Sequence, residues 1–214
     1  TRLNNIPINS GLIQFNSSGS LDSSYNIDTT IYGRVITFDI QNDGKTVVFM
    51  SKSTQYGLIY HERYSLRRFN TNGSIDNTFS LSNTILSEEN IGGNMNNFAG
   101  EYLRIHEIKC LNSGKILIGG TFLNTFGINN KNICKLNSNG TVDNTFQGNV
   151  NSPYTEITAI EEQTDGKIII GGKFSLYNNI STNNIVRVNS NGIFDSSFMT
   201  GTGYTGQISP GPWN

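Results

Sequence analysis

Apolar and polar positions follow the same order four times along the chain. In each copy a short apolar run ends at an asparagine, and the pattern N-x-x-G-x-x-D-x-x-aromatic follows at residues 16–25, 70–79, 137–146 and 189–198. We refer to this pattern as the signature. Self-similarity at a long period is typical of a protein built from structural repeats, and it outweighs local propensity. The sequence therefore predicts a repeat protein.

The clearest repeat lies between the third and fourth signatures. Residues 157–160 alternate between two faces as a strand does, and Thr164-Asp165-Gly166 is a turn triplet. The β-branched run 167–171 is short enough to be a strand buried on both faces, and 185–188 is a third strand. The signature then leads into a short fourth strand. Each repeat is therefore predicted to be a sheet of four short antiparallel strands.

The two preceding repeats follow the same plan with local departures. In one, extra length falls before the first strand as an inserted loop at 81–101; in the other, Met50 and Ser51 replace a Gly-Gly pair. The predicted division is an N-terminal segment with the outer part of a preceding repeat at 1–32, a degenerate repeat at 33–79, a repeat with the inserted loop at 80–146, a repeat at 147–198 and a Gly/Pro-rich tail at 199–214.

The signature residues suit bends in the main chain. The first asparagine, as at Asn189, can accept from the backbone two residues on, and glycine supplies a left-handed position. The aspartate is expected to accept backbone N–H groups, and the aromatic ring to fill the gap between successive repeats. A residue found at one position of every copy usually serves the architecture. The predicted structural residues are Asn16, Gly19, Asp22, Asn70, Gly73, Asp76, Asn137, Gly140, Asp143, Asn189, Gly192 and Asp195.

Composition removes several classes of function. The chain has 214 residues, of which 14% are charged, and a net charge of −1, which argues against electrostatic capture of nucleic acid. No apolar run reaches the ~18 residues of a membrane helix, so no membrane insertion is expected. Because the chain opens at Thr1, with no initiator Met, we expect a processed product or an excerpt from a longer chain. Cys110 and Cys134 fall on strands two apart, beyond disulfide reach, and are expected to be buried apolar residues.

A search for chemistry finds no site. His61 and His106 fall at ordinary strand or loop positions, and the Glu pairs at 88–89 and 161–162 are expected to be surface charges. A calcium loop would need a carboxylate two residues before the signature asparagine. That position holds Gln14, Arg68, Lys135 and Arg187. We therefore predict no catalytic, cofactor-binding or metal-binding residues, and a protein that is not an enzyme.

Two motifs recur together and carry a family resemblance. Residues 165–174 with 187–198, and 113–122 with 135–146, read approximately DGKIIIGG.F followed by RxNxxGxxDxxF. A partial copy lies at 43–45 with 68–79, and a half copy at 14–25. In these motifs the chain resembles the bacterial delta-sixty repeat family of β-propellers. The resemblance implies an all-β fold of four-stranded antiparallel blades around an axis, with three full blades and a partial one.

An incomplete ring of blades suggests a module that works with other chains. We expect a non-enzymatic structural or interaction module of a bacterial surface, a secreted adhesin or a phage particle, and so an extracellular, cell-surface or virion location. Assembly into a homo-oligomer, such as a six-bladed ring from two chains, or into a larger complex would complete the arc. The alternatives are a carbohydrate-binding lectin and, with less support, an enzyme using a central channel. Candidate contact residues in the variable loops are Tyr56, His61, Glu88, Glu89, Met95, Phe98, Phe126 and Tyr177.

Overall fold

A computed structural model describes residues 2–3, 6–7, 11–27, 33–56, 59–81, 85–87, 104–122, 132–150 and 155–198. Every regular element in these ranges is a β-strand. The strands are β1 (Arg2–Leu3), β2 (Ile6–Pro7), β3 (Arg34–Ile40), β4 (Thr46–Tyr56), β5 (Ile59–Phe69), β6 (Ile85–Ser87), β7 (Arg104–Cys110), β8 (Ile116–Thr121), β9 (Ile133–Leu136), β10 (Glu156–Glu162), β11 (Ile168–Lys173), β12 (Leu176–Tyr177), β13 (Ile180–Ser181) and β14 (Ile185–Val188). The described residues include no helix that could span a membrane.

Three antiparallel sheets make up most of the fold. Blade 1 has the order β3-β4-β5-β6, blade 2 the order β7-β8-β9, and blade 3 the order β10-β11-β14. In each blade the first two strands are joined by a turn whose glycine has positive φ, at Gly44, Gly114 and Gly166. Glycine adopts this conformation without the steric cost that a Cβ imposes. The all-β architecture of repeated antiparallel sheets confirms the predicted fold class.

The first strand of every blade carries a bulge at the same place. The register shifts between Val35 and Thr37 in blade 1, and between the equivalent residues of β7 and β10. In blade 2 a Cβ at Gly120 would lie 1.9 Å from the Arg104 carbonyl oxygen, and in blade 3 one at Gly172 would lie 2.0 Å from that of Glu156. The second glycine of the Gly-Gly pair therefore allows the first two strands to approach closely.

The blades pack face to face through three apolar clusters. One joins blades 1 and 2, with Phe49 and Leu66 against Ile108 and Ile118. A second joins blades 2 and 3, and a third holds residues of segment 11–27 against blade 1. Such burial contributes on the order of 25 cal/mol per Å² of apolar surface, so these interfaces hold the blades together.

Blade 1 differs from the predicted plan. Its second and third strands form a long hairpin that reaches the pair Tyr56–Ile59, where the sequence analysis placed Tyr56 and His61 in a variable loop. Strand β6, which falls inside the predicted inserted loop 81–101, pairs with β5 and so belongs to blade 1. This pairing joins residues that are distant in sequence, and the local pattern does not specify it.

The predicted fourth strand is a single residue pair in each signature. Phe69 bridges Ile75, and the same bridge recurs at the third and fourth signatures. The strand ends there because the chain turns again at the aspartate, whose carbonyl accepts from the aromatic residue three positions on. Cys110 in β7 and Cys134 in β9 are separated by β8, and both thiols are free. Burial raises the pKa of Cys110 to about 12.

Candidate functional site

The signature forms a tight turn closed by backbone hydrogen bonds. Asn70 N donates to the Ser74 carbonyl and Gly73 N to the Asn70 carbonyl, both at 2.8 Å, and Gly73 has φ +83°. The side-chain contact differs from the prediction in the later copies. There the third residue of the signature accepts the backbone N–H two positions on, as in Asn191 Oδ1 with Ile193 N at 3.3 Å. Only in the first copy does the leading residue, Asn16, do so.

The signature aspartate uses both of its carboxylate oxygens in hydrogen bonds, as Asp76 shows in blade 1. Asp76 Oδ1 accepts from Thr78 N at 3.0 Å and Thr78 Oγ1 at 2.6 Å. Asp76 Oδ2 accepts from Lys45 Nζ and Arg68 Nε, each at 2.9 Å. The first oxygen therefore stabilises the second bend of the signature, as predicted for the backbone contact. The second oxygen contacts two cations, and the sequence analysis missed this contact.

Similar ion pairs recur in blades 2 and 3, but in blade 2 the second cation has a different partner. Asp195 binds Lys167 at 2.9 Å and Arg187 at 2.8 Å. Asp143 binds Lys115 at 2.8 Å, while the shorter Lys135 donates instead to the Ser190 carbonyl of the next blade. We call the aspartate with its lysine and its Arg or Lys the charge node of the blade. The sequence contains the cations of the charge nodes at Arg68, Lys135 and Arg187. The sequence analysis considered these residues only as evidence against calcium binding.

The charge nodes lower the pKa of their carboxyl groups. At Asp143 burial by itself favours the neutral acid, but hydrogen bonds from Lys115 and Thr145 outweigh it and lower the pKa to about 2. The pKa of Asp76 is lowered further, because hydrogen bonds from Thr78 and Lys45 outweigh its burial. Such carboxylates stay ionised and engaged at neutral pH, which suits a structural role better than proton transfer.

The charge nodes of blades 1 and 2 also reach the next blade. Arg68 Nη1 donates to the Ser138 carbonyl of blade 2, and its guanidinium carbon lies 4.9 Å from the centroid of the Phe79 ring. That ring sits where a Cβ on Gly140 would be, since such an atom would lie 2.7 Å from it. The backbone adds a bond from Ser80 N to the Asn139 carbonyl at 2.8 Å. The signature therefore joins blade 1 to blade 2, and the aromatic ring lies between them as predicted.

A polar cleft opens beside this joint. It has a volume of about 440 Å³ and lies between the turns of blades 1 and 2. The residues lining it are Gln41, Asn42, Asp43, Lys45, Arg68, Asn112, Ser113, Gly114, Ser138 and Asn139. Two amides span it, because Gln41 Nε2 donates to the Gly114 carbonyl at 2.9 Å and Asn42 Nδ2 to the Asn112 carbonyl at 3.0 Å. Its chemistry suits a neutral ligand rich in hydroxyl groups.

Comparison with known families finds a match to the repeats themselves. The family described as "Domain of unknown function (DUF5122) beta-propeller" matches residues 61–79, 111–146 and 163–198. Each matched stretch ends with a signature, and two include the turn and second strand of a blade. The chain is built from β-propeller repeats. The curated proteins and the solved structures that were compared with it gave no match.

The first strands of the three propeller blades bring charged residues together. β3 contacts β7, and β7 contacts β10. Asp39 Oδ2 accepts from Cys110 N at 2.7 Å, and Lys109 Nζ lies 2.8 Å from Glu161 Oε2. Burial, and then the charge of Asp39, raise the pKa of Glu107. The sequence analysis found no convergent charged residues, because only packing of successive blades places these side chains side by side.

The predicted contact residues have different positions. Tyr177 is fully buried in β12, where its hydroxyl donates to the Gly192 carbonyl at 2.8 Å, so its prediction as a loop contact is wrong. Tyr56 and His61 lie in strands β4 and β5 and not in a loop. The remaining candidates, Glu88, Glu89, Met95, Phe98 and Phe126, lie outside the described residues.

The structure also describes His106, Glu161 and Glu162, which the sequence analysis assigned to ordinary strand or surface positions. His106 lies in β7, with Nε2 3.0 Å from Glu156 Oε1. Glu161 pairs with Lys109, while Glu162 accepts from Asn112 N at 2.6 Å. Within the described ranges, no cluster of three His, Cys, Asp or Glu side chains could hold a metal ion.

Proposed function

We propose that the chain is a non-enzymatic structural and interaction module that binds other protein chains through the open ends of its arc of blades. The supporting observation is a contrast between interior and end faces. Phe38 in β3 of blade 1 is 49% exposed, whereas the residues at the same place in blades 2 and 3, Ile108 and Ile160, are 1% and 3% exposed. A position that is buried between successive blades is thus exposed to solvent in blade 1.

The other end of the arc shows the same contrast. Ile185 in β14 of blade 3 is 36% exposed, while its counterparts Leu66 in blade 1 and Ile133 in blade 2 are 1% and 0% exposed. Apolar surface that is buried between blades but exposed at an end is typical of a protein–protein contact. Both ends therefore suit partners that continue the stack of blades.

The proposed setting is the exterior of a cell or a virion. We infer that the repeats are of the delta-sixty type and that the module belongs to a bacterial surface, secreted or phage-particle assembly. The support is compositional: the chain is rich in Asn, Ser, Thr and Gly, weakly charged, and built from rigid repeats that present variable loops. Self-assembly or docking into a larger complex would cover the end faces.

A second candidate function is saccharide binding in the cleft between blades 1 and 2. The amides of Asn42, Asn112 and Asn139 line it and offer both donors and acceptors to hydroxyl groups. No aromatic ring is among its lining residues, so stacking on a sugar face is not provided there. A glycan array tests this function directly. Bound saccharides that are lost in Asn112→Ala would support it, and an array without hits would remove it.

Sedimentation velocity over a range of concentrations tests the interaction function. We expect a mass above that of one chain, with association weakened in Phe38→Asp or Ile185→Asp, since each puts a charge on an end face. The matched control is Asn77→Asp, a change to an exposed residue of the signature between blades 1 and 2. A monomer at every concentration, or equal association in all variants, would contradict the proposal.

A further inference from the structure

Segment 11–27 has an exposed apolar face at the first end of the arc. Phe15 is 49% exposed, although it makes the same bridge across the signature turn that its counterparts make in the later copies. Those counterparts are all 0% exposed, and they are Phe69, Leu136 and Val188. Ile13, two residues earlier, is 38% exposed, while the corresponding Cys134 and Val186 are 0% and 1% exposed. The first copy therefore exposes side chains that in the later copies pack against the preceding blade.

The glycine of the first signature completes this face. A Cβ on Gly140 would lie 2.7 Å from the ring of Phe79, and one on Gly192 would lie 2.8 Å from the ring of Phe146. Both glycines are buried, whereas Gly19 is exposed and has a similar φ of +78°. A Cβ on Gly19 would meet no atom of the described residues within 4 Å. We call this set of residues the receiving face: Ile13, Phe15 and Gly19.

Blade 3 exposes the matching half of the joint. Phe198, the aromatic residue of the last signature, is partly exposed, while Phe79 and Phe146 are 1% and 4% exposed. The side chain of Arg187 is 19% exposed, compared with 7% for Arg68. The guanidinium carbon of Arg187 lies 4.8 Å from the centroid of the Phe198 ring, as in the pair of blade 1. We call this second set the inserting face: Ile185, Arg187 and Phe198.

The apolar part of the inserting face has a counterpart in the joints within the chain. The residue of blade 1 that corresponds to Ile185 is Leu66, which belongs to one cluster with Cys134 and Leu136 of blade 2. These two residues hold the places of the two apolar side chains of the receiving face. Ile185 is therefore expected to pack on that apolar pair.

The polar contact of the joint has an equivalent at the two ends as well. Arg68 donates to the carbonyl of Ser138, and Lys135 repeats this contact in the next joint. The acceptor in each case is the residue after the first asparagine of the following signature, which in the first signature is Ser17. Arg187 bonds groups of its own blade, and in the described part of the chain it reaches no following signature. The Ser17 carbonyl is therefore the equivalent acceptor for Arg187.

We infer that the chain associates head to tail with a second copy of itself, with the inserting face of one copy packed on the receiving face of the next. The two faces are halves of one joint, and they do not meet within one chain because both are exposed. A second copy supplies the missing half at each end. Such a contact uses different surfaces on the two copies, so its repetition closes a ring or extends a filament. The inference rests on the proposed interaction function and names its partner.

Sedimentation velocity with complementary variants tests the head-to-tail contact. Phe15→Asp blocks the receiving face and Ile185→Asp the inserting face, since each would bury a carboxylate against apolar side chains. We expect each variant alone to associate at least about tenfold more weakly than the unaltered chain. An equimolar mixture should form a species with the mass of two chains, because it contains one intact face of each kind. Ile180→Asp is the matched control, because Ile180 is 40% exposed and lies in β13, outside both faces.

A substitution at the glycine checks the contact without adding a charge. Asparagine tolerates positive φ better than most residues with a side chain, so Gly19→Asn fills the space above the glycine with little strain. We expect this variant to associate about tenfold more weakly or worse. Gly166→Asn is the control, since Gly166 has φ +77° and the same room for a Cβ among the described residues, but lies in the turn between β10 and β11. Thermal melting of every variant identifies a loss of association that comes from unfolding.

The outcomes separate this contact from the broader function. A Phe15→Asp variant that associates as well as Ile180→Asp, or a mixture that shows no mass above one chain at any concentration, would overturn the head-to-tail contact. If Phe38→Asp still weakens association in that case, the interaction function stands with a different contact. An unaltered chain that stays monomeric at every concentration would contradict both.

Discussion

Each signature aspartate uses its two carboxylate oxygens for different purposes. In Asp76 one oxygen accepts from the backbone and hydroxyl of Thr78, and the other accepts from Lys45 and Arg68. The side chains of Asp76 and Arg68 are 5% and 7% exposed, so solvent screens this pair weakly. The guanidinium then reaches the Ser138 carbonyl and the Phe79 ring. A local turn is thereby coupled to the contact between blades.

Replacing Asp76 by asparagine tests this coupling. Asp76→Asn keeps one oxygen for Thr78 but places an amide donor against Lys45 and Arg68, which leaves the buried Arg68 without its counter-charge. We expect the free energy of unfolding to fall by about 3–5 kcal/mol. Asp22→Asn is the control, since Asp22 bonds Ser24 and has Gln14 where Arg68 stands, and it should lower the free energy of unfolding much less than Asp76→Asn. Equal losses in urea denaturation would contradict the role of the charge node.

Acid should weaken the fold through the same carboxylates. Asp76, Asp143 and Asp195 have folded-state pKa values below the ordinary value of 3.8, with Asp143 at about 2. A depressed pKa contributes stability that is present above the unfolded pKa and is lost as pH falls through the folded one. We expect the free energy of unfolding to decline as the pH falls from about 4 towards 2, and less steeply in Asp143→Asn. An unchanged slope in that variant would count against the assignment.

At the scale of the element, glycines decide how closely strands approach. Gly120 follows Gly119 in β8, and a Cβ there would overlap the Arg104 carbonyl oxygen, whereas one at Gly171 in β11 would meet only the Ala159 Cβ at 3.8 Å. The two residues belong to the same Gly-Gly motif in different blades. Their surroundings show that the second glycine is needed for the bulge in the first strand, and that the first has room to spare in blade 3.

Alanine at these two positions should give opposite outcomes. Gly120→Ala must push the first two strands of blade 2 apart, and we expect a loss of about 1–3 kcal/mol. Gly171→Ala has space and an extended backbone, so it should leave stability unchanged or raise it by up to about 1 kcal/mol. Thermal unfolding of both variants provides the comparison. A larger loss at Gly171 than at Gly120 would contradict the proposed packing of the strands.

The elements that the sequence predicted well are those with local causes. The turns at Gly44, Gly114 and Gly166, and the signature bends, follow from residues a few positions apart. The extension of β4 and β5, and the pairing of β6 with β5, depend on partners remote in sequence. The charge node has a local part and a remote part. Arg68 and Asp76 are eight residues apart, as are Arg187 and Asp195. Lys45 reaches Asp76 only when the sheet has formed. Tyr177 was misplaced because its burial depends on packing against Gly192.

At the scale of the whole molecule, the same joint is used repeatedly along the arc. The ring of Phe79 lies over Gly140, and the ring of Phe146 lies over Gly192. Both glycines have positive φ, at +84° and +85°. Where the arc ends, the corresponding faces are exposed, and the proposed interaction function follows from that exposure. The central claim is therefore that the signature joins successive blades.

A double-mutant cycle on Phe79→Ala and Gly140→Ala tests that claim most directly, with the free energy of unfolding measured for the four proteins. Alanine at residue 140 should cost about 1–2 kcal/mol from its positive φ alone. Overlap with the ring of Phe79 should add about 1–3 kcal/mol more. We predict that this second part disappears when Phe79 is alanine, so that the two substitutions are non-additive by that amount. Additive losses would show that the ring does not pack on the glycine of the next blade, and would contradict the account.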